Sequence, residues 1–173
     1  MKFSFTAKLI YVLGFIAFLI VGPLVMWWIA TTWPMTFLAE QESTPYLGGF
    51  VSAVGLLFAV WSNYELVSKG KGGAGNLGRI KTMPETQHLV TTGPYSICRN
   101  PMHLGVFLFY MGLSCSLNSL SSLIIPLLAI GFGYFSAVFL DEPRLMKAFP
   151  EEFAAYKQQV PRFMPRILAR KKY

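Results

Sequence analysis

Two short stretches of this sequence concentrate the groups that could do chemistry. The first runs His88-Leu-Val-Thr-Thr-Gly-Pro-Tyr-Ser-Ile-Cys-Arg-Asn-Pro-Met-His-Leu-Gly105. Gly93-Pro94 predicts a turn. Arg99-Asn100-Pro101 then puts a cation, a side-chain cap and a proline at a helix start, where asparagine at the N-cap and proline at the first helical position are both favoured. A helix N-terminus leaves N–H groups unpaired, and with a neighbouring guanidinium these suit a carboxylate or phosphate. Without any ligand, the same residues read as a capped helix with a snorkelling Arg99. That reading explains Asn100 and Pro101 but not the Gly93-Pro94-Tyr95 ahead of them. The second stretch is Asp141-Glu142-Pro143-Arg144-Leu145. Two adjacent carboxylates at the end of an apolar run either pair or bind something. An ion pair with Arg144 in the next helical turn accounts for them equally well.

The elements that must position these groups follow from the spacing of charge. Residues 9–39, 43–64 and 100–140 contain no Asp, Glu, Lys or Arg. A helix needs about 20 apolar residues to cross a bilayer, so the three runs hold one, one and two spans. The chain of 173 residues is 54% hydrophobic and 13% charged, against about 25% charged in ordinary soluble domains. Disordered, collagen-like and coiled-coil classes are excluded. The expectation is an all-α, polytopic membrane protein forming one domain over 1–173. Its four transmembrane helices fall at about 9–30, 47–67, 101–115 and 120–140, and a C-terminal cytosolic amphipathic helix lies within Asp141–Tyr173. The first run is too long for a signal-peptide core and reads as a retained span, with Pro23 as a kink. Spans three and four form a hairpin through Ser116-Leu117-Asn118-Ser119, and Pro126, Gly131 and Gly133 allow bending and close approach.

Every one of the 15 Lys and Arg residues precedes span one, lies between spans two and three, or follows span four. Lys2 and Lys8 form the first group; Lys69, Lys71, Arg79, Lys81 and Arg99 form the second. The positive-inside rule then places both termini in the cytosol, in an inner membrane of a bacterium or archaeon or one of endoplasmic-reticulum type. The external segment Thr31–Tyr46 carries Glu40 and Glu42. The net charge of +7 raises nucleic acid as a partner. Cations beside spans instead contact membrane lipids, at about 1 kcal/mol each, so no nucleic acid partner is expected. Nothing in the sequence identifies a protein partner.

The remaining motifs are weak. Gly70-Lys71-Gly72-Gly73-Ala74-Gly75 matches G-x-G-x-x-G but lacks the strand and helix that the dinucleotide fingerprint needs, and reads as a loop. His88 and His103 are the only histidines, and no Cys/His spacing suggests a metal site. Cys98 and Cys115 read as free thiols. No serine sits in a G-x-S-x-G elbow.

Taken together, the two stretches resemble the isoprenylcysteine carboxyl methyltransferase and phospholipid N-methyltransferase superfamily of membrane enzymes. Its signature runs roughly L-V-x-x-G-x-Y-x-x-x-R-[HN]-P-x-Y-x-G, then a membrane hairpin, an acidic E-E-P-x-L, F-G-x-x-Y-x-x-Y and V-P-R-x-x-P. Leu89, Val90, Gly93, Tyr95, Arg99, Asn100, Pro101 and Gly105 match the first part. Glu142, Pro143, Leu145, Phe149, Tyr156, Val160, Pro161, Arg162 and Pro165 follow in the same order. The sequence departs from the pattern at His103 (usually Tyr), Pro150 (usually Gly) and Phe153 (usually Tyr). Asn100 stands where the carboxyl methyltransferases have His. These departures bear on the acceptor more than on the donor.

The resemblance covers about residues 87–166 and implies that this region binds S-adenosyl-L-methionine and transfers its methyl group to a lipophilic acceptor. That acceptor would be a prenylcysteine carboxylate, a phospholipid amine or a small thiol. The implied cofactor residues are His88, Leu89, Val90, Gly93, Tyr95, Arg99, Asn100, Pro101, Gly105 and Glu142. Arg99, Glu142 and His103 form the implied catalytic set. Arg99 and the N–H groups near Asn100–Met102 would hold the cofactor carboxylate, Glu142 its amine or ribose, and His103 would steer or deprotonate the acceptor. An NADPH-dependent membrane reductase of related fold and a non-catalytic membrane scaffold remain as alternatives.

Overall fold

The structure, a computed structural model, describes residues 5–38, 43–72 and 86–164; every regular element among them is helical. Lys2, Glu40 and Glu42, residues 73–85 of the glycine-rich loop with Arg79 and Lys81, and Pro165 with the basic end beyond it lie outside the described residues. Helix α1 (Phe5–Ile16) continues through a π-helical turn (Ala17–Val21) into α2 (Gly22–Thr32). Helix α3 spans Thr44–Ser68, and a short 3-10 turn (Gly93–Ser96) leads to α4 (Pro101–Ser116). A second 3-10 turn (Ser121–Leu123), α5 (Ile124–Ser136), a second π turn (Ala137–Asp141) and α6 (Glu142–Ala148) form one unbroken helical run, and α7 is Pro150–Gln159.

Three of these runs are long and apolar enough to cross a membrane: Leu9–Thr32, Thr44–Ser68 and Ser121–Ala148. Their large apolar side chains, such as Leu24, Phe50, Leu57, Leu128 and Phe139, are exposed, as lipid-facing residues are. Helix α4 has 16 residues, too few for that length, yet α2, α3 and α5 all pack against it. The expected third span, about 101–115, is thus a short inner helix. The last long run does not stop at residue 140 as expected but carries Asp141, Glu142 and Pro143 within it.

Small residues explain why α3 and α4 lie so close. Gly48 faces Gly112 and Ser116, Ser52 faces Gly112, Gly55 faces Gly105 and Phe109, and Ala59 faces Gly105, an antiparallel register. A Cβ on Gly48, Gly55, Gly105 or Gly112 would run into backbone of the opposite helix. The 11 helical steps from Gly48 to Ala59 give about 16 Å of near backbone contact, where small side chains let dispersion replace the hydrophobic force that lipid cannot supply. Ser52 Oγ donates to the Phe109 carbonyl across this seam (3.0 Å).

Both π turns end two residues before a proline. In the first, the Gly22 N–H bonds the Ala17 carbonyl, one residue further back than an α-helix would reach. The Phe18 carbonyl would next look to Pro23, which has no N–H. Tyr110 fills the gap: its hydroxyl donates to the Phe18 carbonyl at 3.0 Å, and Gly22 leaves room for its ring. The proline thus appears as a π turn bonded to a neighbouring helix. The second turn repeats the pattern, with the Glu142 N–H on the Ala137 carbonyl just ahead of Pro143.

At the end of the bundle away from the charges, the α4–α5 reversal turns on Asn118, a non-glycine residue at φ 45°. Its amide oxygen accepts from the Phe37 and Leu38 N–H groups (3.1 and 3.2 Å), and its amide nitrogen donates to the Leu38 carbonyl (2.8 Å). The reversal is thereby tied to the segment after α2. Exposed Trp27, Trp28, Trp33 and Tyr46 lie at the same end, as an interfacial aromatic belt would.

Candidate functional site

The charged end of the bundle is built around Glu142. Arg162 grips it with two hydrogen bonds, Nε to Oε1 at 2.7 Å and Nη2 to Oε2 at 3.0 Å. Arg99 Nη2 lies 3.2 Å from Oε1, and Lys157 Nζ 3.7 Å from Oε2. One carboxylate therefore serves three cations. The side chains of Glu142 and Arg99 are 11% and 8% exposed, so the pair is desolvated. Burial pulls the Arg99 guanidinium below its ordinary value while Glu142 opposes the shift; the hydrogen bonds to Glu142 hold Arg162 above its own.

The tail is drawn over this end by backbone bonds. The Arg99 N–H donates to the Pro161 carbonyl (2.8 Å) and the Asn100 N–H to the Arg162 carbonyl (3.1 Å). Asn100 Nδ2 donates to the same Arg162 carbonyl (3.2 Å). This corrects two sequence expectations. Asn100 stands at the N-cap of α4, but its side chain bonds the tail and makes no cap bond. The Arg99 and Asn100 N–H groups are spent on tail carbonyls, so the start of α4 offers an anion fewer donors than expected. Pro101 does occupy the first turn. Tyr156 Oη donates to the Tyr95 carbonyl (2.6 Å), and buried Phe153 packs beside Tyr156. Burial holds the phenols of Tyr95 and Tyr156 above their ordinary value, so both stay protonated. Burial also pushes the Cys98 thiol up to about 11.

The turn before α4 is held from α3. Glu65 Oε2 accepts from Thr92 Oγ1 (2.9 Å) and pairs with Lys69 Nζ (2.8 Å). Gly93 sits at φ +59°, and a Cβ there would meet the Glu65 side chain. Glycine is required for the turn on both counts.

Beside these ties lies a cleft of about 700 Å³, within the range of about 300–1,000 Å³ that holds small-molecule ligands. Its mouth collects Arg99, Asn100, Tyr95, His88, Asp141 and Arg144; its far end reaches Phe18, Tyr110 and Ala129. From Asp141 to Ala129 is about 18 Å of helix, so the cleft runs from the charged end well into the apolar layer. Of the residues implied by the resemblance, Arg99, Asn100, Pro101, His103, Tyr95, His88, Leu89 and Val90 line it. Glu142, Gly93 and Gly105 do not. Glu142 faces the arginines, Gly93 forms the turn, and Gly105 packs against Ala59. His103 lies over Gly133, whose missing side chain makes room for it, and beside Phe132.

The carboxylate that does face the cleft is Asp141, which the sequence could not tell from its neighbour. Its Oδ2 accepts from Ser136 Oγ (3.1 Å) and its Oδ1 from Arg144 Nη2 (3.2 Å), the ion pair expected from sequence. Arg99 Nε and Nη1 are buried with no partner among the described residues. Such orphans beside an open cleft mark where an anionic group would sit. Arg162 was part of the recognised V-P-R pattern, but nothing in its spacing gave it Glu142 as a partner.

A family model for phospholipid methyltransferases matches residues 43–152. The chain is 33% identical to the protein-S-isoprenylcysteine O-methyltransferase of Saccharomyces cerevisiae over 82 residues, 47% of this chain and 34% of that one. It is 27% identical to the mouse (Mus musculus) protein of the same name over 142 residues, 81% and 49% of the two chains. It is also 38% identical over 79 residues to the cobalt-zinc-cadmium resistance protein CzcN of Cupriavidus metallidurans, 46% and 36% of the two chains. The chain thus spans between a third and a half of the length of the curated relatives it matches. Among the described residues no three His, Cys, Asp or Glu gather where they could hold a metal ion. With nearly two thirds of its length matched, and the matched region framing the cleft, the chain belongs to the phospholipid methyltransferase family.

Proposed function

We propose that this protein transfers the methyl group of S-adenosylmethionine to a lipophilic acceptor at the cytosolic face of its membrane, with four helices in the bilayer and both termini in the cytosol. The observation that carries the reading is a cleft that joins a charged mouth to an apolar far end. A polar cofactor and an oily acceptor need such a site if they are to meet. The resemblance to the isoprenylcysteine O-methyltransferases supports the same reaction class.

The residues present fit the cofactor. The unpartnered Arg99 Nε and Nη1 suit its carboxylate, and Asp141 suits its cationic side. When bound, S-adenosylmethionine supplies a methyl group on a positively charged sulfur. The chain itself orients and encloses. Glu142 fixes Arg99, Tyr156 fixes the Tyr95 backbone, and the tail from Pro161 to Arg162 closes the mouth beside α4. Water exclusion and alignment are most of what a displacement at a methyl carbon asks of a protein. His103 stands in the cleft wall one turn inside α4, where it can take a proton from an amine or thiol acceptor; a carboxylate acceptor needs none.

The test is incubation of the protein with labelled S-adenosylmethionine and a lipid extract, followed by identification of the labelled product. Calorimetry with S-adenosylhomocysteine in nanodiscs should show saturable binding, lost in Arg99→Ala. No binding to the wild-type chain would refute the proposal.

A further inference from the structure

Part of the cleft wall is made by α1 and α3, and it carries two polar side chains that the cofactor reading does not use. Asn63 of α3 and Tyr11 of α1 both line the cleft, with the Tyr11 hydroxyl close to the Asn63 side chain. Asn63 Oδ1 is buried with no partner among the described residues. Turning the amide over would exchange its two ends and still leave one unmatched. A buried polar atom without a partner costs about 1–3 kcal/mol in water-soluble proteins, and a bilayer offers no water to relieve it. Around this pair the cleft is apolar: Phe15, Phe18, Ala59, Val60 and Val106 line it. Beside Gly14, another lining residue, a Cβ would meet nothing within 4 Å, so space remains for a chain. Asn63 stands two residues before Glu65, and Tyr11 three after Lys8, both just inside the charged end.

We propose that Asn63, braced by Tyr11, reads the acceptor's head group: Oδ1 accepts a hydrogen bond from an N–H or O–H of an amphiphile whose apolar chain lies along Phe15 and Phe18. The inference rests on the reading of this cleft as the meeting place of cofactor and acceptor, and adds the class of acceptor. The head group must present a hydrogen-bond donor close to where its chain begins. Tyr11 sets the orientation of the amide; Asn63 makes the contact.

The probe is a matched pair, N-dodecylacetamide and N-dodecyl-N-methylacetamide, which differ in one N–H. Their binding to the full chain in nanodiscs is measured at equal mole fraction in the bilayer, with S-adenosylhomocysteine affinity measured in parallel. The wild-type chain should prefer the N–H compound by about five- to tenfold. Asn63→Ala and Asn63→Leu should bring the ratio to about one with S-adenosylhomocysteine affinity unchanged, and Tyr11→Phe should lower it part way. Asn63→Ala, the smaller change, keeps the test usable if Asn63→Leu does not fold. Equal or absent binding of the two probes by wild type, or a preference that survives in Asn63→Ala, overturns the proposal. So does a fall in S-adenosylhomocysteine affinity with the preference intact, which would assign Asn63 to the cofactor. If wild type discriminates the probes but does not bind S-adenosylhomocysteine, the methyltransferase reading fails and the amphiphile site stands.

Discussion

Replacing Glu142 by Gln removes the one charge that three cations share. Arg99, 8% exposed, then keeps no carboxylate in contact, and breaking a buried pair from one side costs about 3–5 kcal/mol. Arg162→Ala is milder. It removes the two-bond grip but leaves Glu142 with Arg99 and Lys157, a loss of about 1.5–3 kcal/mol. Lys157 is 46% exposed and contributes little in either case. At about 2–4 °C per kcal/mol for a chain of this size, Glu142→Gln should lower the melting temperature on the order of 10 °C and Arg162→Ala about 5 °C. The double variant should cost less than the two singles together, because they break one shared interaction. Thermal unfolding in nanodiscs measures all three. S-adenosylhomocysteine binding should fall in both singles, since the Arg162 side chain does not line the cleft and reaches it through Glu142 and Arg99. If Glu142→Gln abolished binding at an unchanged melting temperature while Arg162→Ala bound normally, Glu142 would be a direct ligand and the reasoning from the ion cluster would be wrong.

Asp141→Asn should weaken S-adenosylhomocysteine binding at least fivefold with a melting temperature within about 3 °C of wild type, because the amide oxygen can still accept from Arg144 while the amide nitrogen donates to the Ser136 hydroxyl. Gly105→Leu should prevent assembly of the bundle, seen as loss of a monodisperse peak in detergent, since its side chain would enter the α3 backbone at Ala59. Gly93→Ala should lower the melting temperature by several degrees, from the roughly 1 kcal/mol of a left-handed backbone plus contact with Glu65. Cys98, raised to about 11, carries only about one thiolate in a thousand at pH 8 and should resist N-ethylmaleimide in the folded chain. Mass spectrometry before and after denaturation reads that difference.

The gaps between charges located the apolar helices, and Pro101 marked the start of α4 to the residue. The hairpin at Asn118 was legible for the same reason, being the polar break in the longest apolar run. The end of the last span was not. The charges of Asp141 and Glu142 set the expected end at residue 140, but a proline just after a π turn forgoes an N–H the helix has already displaced, so the run continues to Ala148. Asn100 carried the chemistry of a cap and instead serves the tail, a contact 62 residues away that no local pattern announces. Asp141 and Glu142 are equivalent in sequence; helical phase sends one to the cleft and the other to the arginines. Asn63 is a lone amide in a charge-free run and was visible in principle, since a polar residue at membrane depth needs a reason. Ser52 and Ser62 stand in the same run and satisfy themselves on carbonyls, so composition alone gave no basis for choosing among them.

Each π turn holds one residue more than an α-helical count would place there, which rotates everything downstream by about 100°. In this chain, number of residues is therefore a coded quantity in its own right. Exchanging Phe139 for leucine would leave a lipid-facing surface as oily as before. Deleting one residue between Ala137 and Leu140 would leave hydropathy equally untouched, yet would swing Asp141, Arg144 and Leu145 away from the cleft and break the line from Glu142 to Arg99. The damaging edit here is a miscount, and no tally of side-chain properties would register it.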